Sequence, residues 1–260
     1  MHSFAKYIIL FILSFHFLTG TAEAQKKFKI SKPPKFTLTF ALSYNYALSR
    51  AFGDVTSCSV LYDSATSGYV FNGQNYGMLS GGSFMTTGKL AVDKKRMFKL
   101  TMTLGYSLFY NTAFDNTFKN QWHLFNGTLG VEYNFAPKAK YRPYIGYELM
   151  YTLMLGSWQY EILEVTGYKS VMYLKFKPAH RFGMAFNSGV EYRITKKLGV
   201  TFGGRIVWVN VAPKLNNSSG DPAKVYFNDA KNDNGIDIGF RKQIVYFQFV
   251  GGLSLFLRRK

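Results

Sequence analysis

The stretch Lys35–Ala47, KFTLTFALSYNYA, decides the fold. Phe36, Leu38, Phe40, Leu42, Tyr44 and Tyr46 occupy every second position, with Thr37, Thr39, Ala41, Ser43 and Asn45 between them. A strand sends alternate side chains to opposite faces, so this segment has one large apolar face and one small, uncharged face. What matters is which solvent each face meets.

The pattern recurs. Phe98–Tyr110, Phe125–Phe135, Ile145–Leu155, Phe182–Ile194, Leu198–Val211 and Gln243–Leu257 alternate in the same way, while the Gly-rich run Met78–Val92 is ambiguous in its facing. Together these predict eight strands. Their connections fall into two alternating classes: short turns at 93–96, 136–140 and 195–197, and mostly long segments rich in Gly, Asn, Asp and Ser at 48–77, 112–120, 158–179 and 213–242. A meander with short turns at one end and long loops at the other predicts an all-β chain folded as a single up-and-down antiparallel transmembrane β-barrel.

Strand length points the same way. About 12 residues at roughly 3.3 Å each, tilted by about 45°, rise close to the hydrocarbon thickness of a bilayer, whereas strands of soluble proteins average about 5 or 6 residues. Large apolar side chains from eight strands would overfill a narrow interior, so the small face is assigned to the lumen and the apolar face to lipid. A soluble lipocalin-like barrel is the alternative, with the faces reversed. It would carry charges on its outer face, whereas the non-apolar positions here are largely Gly, Thr, Ser, Ala and Asn.

The strand count has two readings. Glu161–Val165 and Val171–Phe176 also alternate, around Thr166, Gly167, Tyr168 and Lys169. They form either an extracellular hairpin projecting from an eight-stranded barrel or two further strands, making ten. Pro178 cannot donate to a ladder and favours the hairpin.

The chain of 260 residues, 18% aromatic and 47% hydrophobic, is too apolar for disorder. Beyond the N-terminus no apolar run approaches the roughly 20 residues of a spanning helix. Lys6, the apolar run Tyr7–Leu18 and Ala22-Glu23-Ala24 read as a cleaved signal peptide over 1–24. A basic periplasmic tail over 25–34 and the barrel over 35–260 would follow. Cys58 is the single cysteine, so no disulfide framework is expected and Cys58 reads as a small loop residue.

The expected lumen charges are Lys99, Glu132, Glu148, Glu191, Arg193 and Arg205. Glu132 and Glu148 lie on neighbouring strands at similar distances from their shared turn, so they are expected close together, with Arg205 and Lys99 as partners. Such a cluster could be a gate or proton site, but a polar plug that fills and locks the barrel is the favoured reading. Other basic residues gather at the short turns and both chain ends, among them Lys94, Lys95, Arg96, Lys138, Lys140, Arg142, Lys196 and Lys197. They suit anionic membrane headgroups. Nucleic acid is not an expected partner, because its platforms interleave such charges with exposed aromatics.

No metal or cofactor is expected. Asn228–Asp237 approaches a calcium loop, but Ala230 and Arg241 stand where its first Asp and closing Glu belong. No catalytic residues are assigned. His123 and His180 could in principle draw on Asp115 or Ser170, yet no enzyme signature accompanies either.

The ending Ala22-Glu23-Ala24, the paired runs Gly130-Val131-Glu132-Tyr133 and Gly189-Val190-Glu191-Tyr192, and the final VYFQFVGGLSLFLRRK give the chain a family likeness. It resembles the small eight-stranded outer-membrane proteins of Gram-negative bacteria, of the outer-membrane-protein-A and X type. More narrowly, it looks like the PorT-like or outer membrane protein β-barrel families of Bacteroidota. The resemblance implies residence in the cell outer membrane among its lipids, a monomer, no enzymatic activity, and loops displayed for adhesion or partner binding. A small channel or transport component is the alternative, and a lipid-modifying enzyme a further one. The family's last strand commonly ends on an aromatic; here Phe256 is followed by Leu257-Arg258-Arg259-Lys260.

Overall fold

In a computed structural model the chain is described over residues 33–49, 51–53, 58–63, 68–73, 75–113, 118–163, 169–212, 224–227 and 243–257. The expected signal peptide and most of the basic tail, Asp115, Thr166-Gly167-Tyr168, the Asn228–Asp237 loop and Arg258–Lys260 lie outside these residues.

Eight strands close on themselves. They are β1 (Phe36–Leu48), β4 (Ser80–Ala91), β5 (Phe98–Ala113), β6 (Phe118–Asn134), β7 (Tyr141–Leu163), β9 (Ala179–Arg193), β10 (Leu198–Ala212) and β12 (Val245–Leu257). Each pairs antiparallel with its neighbours in the order β1-β4-β5-β6-β7-β9-β10-β12, and β12 pairs back onto β1 from Val245↔Leu48 to Leu257↔Phe36. Closure leaves none of these strands with a bare edge around the ring. Tight turns at one end carry the chain between β4 and β5, β6 and β7, and β9 and β10.

The two faces divide as alternation dictates. Along β1, Thr37, Thr39, Ala41, Asn45 and Ala47 are buried while Phe40, Leu42, Tyr44 and Tyr46 are exposed. Around the wall the outward positions form an apolar band, with Leu42, Leu129 and Leu149 at 68%, 65% and 61% exposure. A fold in water would not leave such a continuous belt of Leu, Phe and Val uncovered. In the ambiguous run, Ser83, Met85, Lys89 and Ala91 point inward, and Phe84 and Leu90 outward.

Four more strands build upward from one side, at the long-loop end. β7 runs for 23 residues. Its first part, Tyr141–Met154, pairs with β9, and its last part, Ser157–Leu163, pairs with β8 (Lys169–Phe176). Lys177-Pro178 separates β8 from β9, so the missing proline donor falls at an interruption of the ladder. This is the projecting hairpin, and the barrel has eight strands. The connections read as loops at 48–77 and 213–242 contain strands as well: β2 (Cys58–Asp63), β3 (Gly68–Gly73) and β11 (Lys224–Phe227). β11 lies parallel between β8 and β3, and β2 closes a hairpin with β3. Cys58 accordingly opens a strand, opposite Gly73, instead of sitting in a loop. Four- and six-residue strands bounded by Gly and Asp carry too little alternation to stand out from loop sequence.

Candidate functional site in the barrel interior

The interior is layered. Nearest the short turns, Glu132 on β6 takes Lys89 from β4 at 2.5 Å and Lys99 from β5 at 2.9 Å. Beside them Glu191 on β9 pairs with Arg142 on β7. The Phe256 ring lies between two guanidinium groups, with Arg142 at 4.3 Å and Arg193 at 4.5 Å from its centroid. Phe256, the final aromatic of the last strand, is therefore buried in the lumen and not presented to the surroundings.

The next layer centres on Glu148. Its Oε2 accepts from Arg205 at 2.5 Å and from Thr128 at 2.8 Å, and its Oε1 accepts from Asn187 at 3.0 Å. Arg205 also donates to Gln248 at 3.2 Å. Gln248 in turn donates to Asn45 at 3.0 Å and Ser83 at 3.1 Å, linking the ion pairs to the hydroxyl and amide side chains of β1, β4 and β5. A cavity of about 50 Å³ between the two carboxylates, lined by Thr39, Lys89, Thr103, Tyr144 and Arg205, has room for a few waters.

The two glutamates are not directly opposed. Glu132 stands across the ladder from Gly146, and Glu148 from Gly130. A Cβ at Gly130 would come within 2.1 Å of the Tyr147 carbonyl and 2.7 Å of Glu148 Cα, so only glycine admits this approach. The diagonal offset gives each carboxylate its own cation set instead of a shared one. Lys99 serves Glu132, and Arg205 serves Glu148.

Three buried cations lie outside the sequence-based set. Lys89 was hidden by the glycines of its strand, whose facing is unreadable. Arg142, expected on the basic rim, is 1% exposed and turned inward against Glu191. Its inward parity on β7 with Tyr144 and Glu148 was the available signal. Arg181, equally buried, sits above with its guanidinium donating to the His180 carbonyl at 3.0 Å.

The end of the lumen toward the long loops is apolar. Phe109, Trp122, Leu124, Met150, Met154, Trp158, Val207, Val209 and Tyr246 pack there with Leu174 and Phe176 of β8. Trp122 stacks on Phe176 at 4.6 Å, and Phe109 meets Tyr246 edge-on at 5.0 Å. Tyr76 and Met78 come down from the β3–β4 connection, held by Asn120 donating to the Tyr76 carbonyl at 2.9 Å and Asn111 to the Gly77 carbonyl at 2.8 Å. The assignment of small and polar residues to the whole lumen thus holds for one half. In the other half large side chains fill the bore, where β8 and the segment carrying Tyr76 and Met78 pack against them.

His123 and His180 lie on the outer wall. His123 Nδ1 is 2.6 Å from the Tyr106 hydroxyl, and His180 Nδ1 is 2.5 Å from the Tyr151 hydroxyl. Ser170 registers with Ile162 on β7, whereas His180 registers with Leu153. Nine residues of strand separate the two positions by roughly 30 Å, so that pair cannot act together. Among the described residues no group of three or more His, Cys, Asp or Glu could hold a metal.

At the short-turn end Asp93 accepts from the Phe98 amide at 2.8 Å. The little burial it has raises its carboxyl, but the amides of Met97 and Phe98 outweigh that and hold it below its ordinary value. Lys140 lies over the Tyr192 ring at 4.8 Å, and its hydrogen bond to Tyr192 raises the ammonium above the ordinary lysine value.

No protein-family model and no curated protein matches the chain. Among solved structures it is similar to Neisserial surface protein A (14% identity, TM-score 0.44, 87% of this chain and 100% of that one). It is also similar to the N-terminal β-barrel domain of Pseudomonas aeruginosa OprF (8%, 0.37, 86% and 98%). A third is Ail, the attachment invasion locus protein of Yersinia pestis, solved with the heparin analogue sucrose octasulfate (7%, 0.36, 85% and 98%). With TM-scores below 0.5, the eight-stranded closure rests on the hydrogen-bonded ring of this chain itself.

Proposed function

We propose that this chain is a non-enzymatic integral protein of a bacterial outer membrane, which anchors there and presents its long-loop end to a partner. The observation that carries the membrane reading is the exposed apolar band around a closed wall. Antiparallel closure gives each strand of the ring a hydrogen-bonded partner on both sides, which is what a lipid-embedded strand requires. The short-turn end, with its lysines, then faces the periplasm.

The interior argues for anchoring over conduction. A lumen filled by ion pairs at one end and by Trp122, Phe109 and Tyr246 at the other leaves no continuous bore. The polar cluster acts as a lock that fixes strand register. The β8–β11–β3–β2 strands extend the sheet from β7 beyond the ring, and β2 is the outermost of them among the described residues. An outermost strand can pair with an added one.

The test joins surface proteolysis of intact cells to a pull-down from the same cells. Replacing Cys58–Gly73 by a short linker should leave a heat-modifiable, membrane-embedded barrel that no longer captures its partner. Equal capture by the shortened protein would refute the display role, and steady conductance in planar bilayers would favour the channel reading.

A further inference from the structure

The apolar band is not uniform. On the wall formed by β6, β7, β9 and β10 there is a groove of about 500 Å³ bordered by Tyr133, Ile145, Tyr147, Phe186 and Ile206. Its origin lies in one cross-strand row. Ile145, Ser188 and Gly204 are register partners, and their strands send them to the same face. Asn187, next to Ser188, turns inward to Glu148, which sets the outward direction of Ser188. The Phe247 ring already covers Gly204, since a Cβ there would lie 2.6 Å from it. The depression therefore remains over Ser188, flanked by tall aromatic and branched side chains.

Below the groove, toward the short turns, the outer face becomes amphipathic. Tyr141 and Tyr192 meet across β7 and β9 with ring centroids 4.8 Å apart. Lys140 lies over Tyr192, and Lys138, Lys196 and Lys197 occupy the two turns that flank this pair. The order from the middle of the wall to its rim is apolar slot, tyrosine pair, lysines. That matches the order of an acyl chain, a glycerol ester region and a phosphate.

We propose that this wall is a specific site for one anionic phospholipid of the periplasm-facing leaflet, with an acyl chain in the groove over Ser188 and its phosphate at Lys138 and Lys140. The inference rests on the membrane reading above. Charge complementarity selects the anionic lipid over a second copy of this chain, which would bring the same lysines against one another.

The purified full-length protein, supplied with phosphatidylglycerol or phosphatidylcholine, would be followed by native mass spectrometry. The expected result is a monomer retaining one phosphatidylglycerol, with phosphatidylcholine retained at least tenfold less. Ser188→Phe should reduce retention of both lipids, and the exposed-turn variant Lys138→Gln/Lys140→Gln should lower phosphatidylglycerol to the phosphatidylcholine level. Equal retention of the two lipids, or no change in the lysine variant, would overturn the site. A dimer that Ser188→Phe dissociates would also overturn it, by assigning the groove to self-association. Heat modifiability of each variant reports barrel integrity, and the lysine variant changes no residue that lines the groove. A wild-type chain that fails to insert into membranes would refute the membrane reading, separately from the lipid site.

Discussion

Removing the Glu132 carboxylate is the sharpest test of the interior lock. Glu132 is 2% exposed and holds two ammonium groups, Lys89 at 2.5 Å and Lys99 at 2.9 Å, which are themselves 4% and 3% exposed. Glu132→Ala leaves two adjacent buried cations with their shared counter-charge gone. Breaking a buried pair from one side costs about 3–5 kcal/mol, because the remaining charge stays desolvated. At about 1.4 kcal/mol per factor of ten, the folded-to-unfolded ratio should fall by roughly two to nearly four orders of magnitude. Equilibrium unfolding in urea from liposomes, followed by tryptophan fluorescence, would read this directly. The triple variant Glu132→Leu/Lys89→Met/Lys99→Met should recover most of the loss, since exchanging a whole buried ionic cluster for apolar side chains of similar volume is often neutral. A loss below about 1 kcal/mol in Glu132→Ala, or a triple variant as weak as the single one, would refute the lock.

Three other outcomes are expected. Leu149→Arg, at a 61% exposed position within the apolar band, should cost about 2–4 kcal/mol in the same unfolding assay if that face meets hydrocarbon; a neutral effect would argue for water there. Trp122→Ala removes a fully buried ring stacked on Phe176 at 4.6 Å, and should cost about 3–5 kcal/mol, with protease sensitivity appearing first at the long-loop end. Asp93, whose carboxyl is held low, contributes stability that is present above its unfolded-state pKa and lost as pH falls through the lower folded one. Asp93→Asn should therefore lower the neutral plateau of a pH–stability curve and flatten its acid limb, converging with the parent protein at low pH.

How much could be read before folding depends on the side chain. Val131 and Tyr133 flank Glu132, so alternation alone places that carboxylate opposite the apolar face. Lys89 has Gly88 on one side, and its strand contains Gly81 and Gly82, so no apolar rhythm reveals its parity. Arg142 precedes Pro143 at the end of a basic turn, where proximity to Lys138 and Lys140 outweighed its parity with Tyr144. Trp122 and Phe109 occupy lumen parity yet are large and apolar, the reverse of the expectation for that face.

The amino-acid sequence by itself determined which residues share a face and where the tight turns fall, because a two-residue period and turn chemistry are local properties. Closure of β12 onto β1, and the division of β7 between β9 and β8, were decided only in three dimensions. So were the pairing of Glu132 with Lys89 and of Glu191 with Arg142, and the change from an ionic to an aromatic interior along the bore. The physical reason is that alternation assigns a side chain to the inside or the outside, but not to a height within the barrel. Height is set by the stagger accumulated over eight strands, and height decides which buried charge finds which partner.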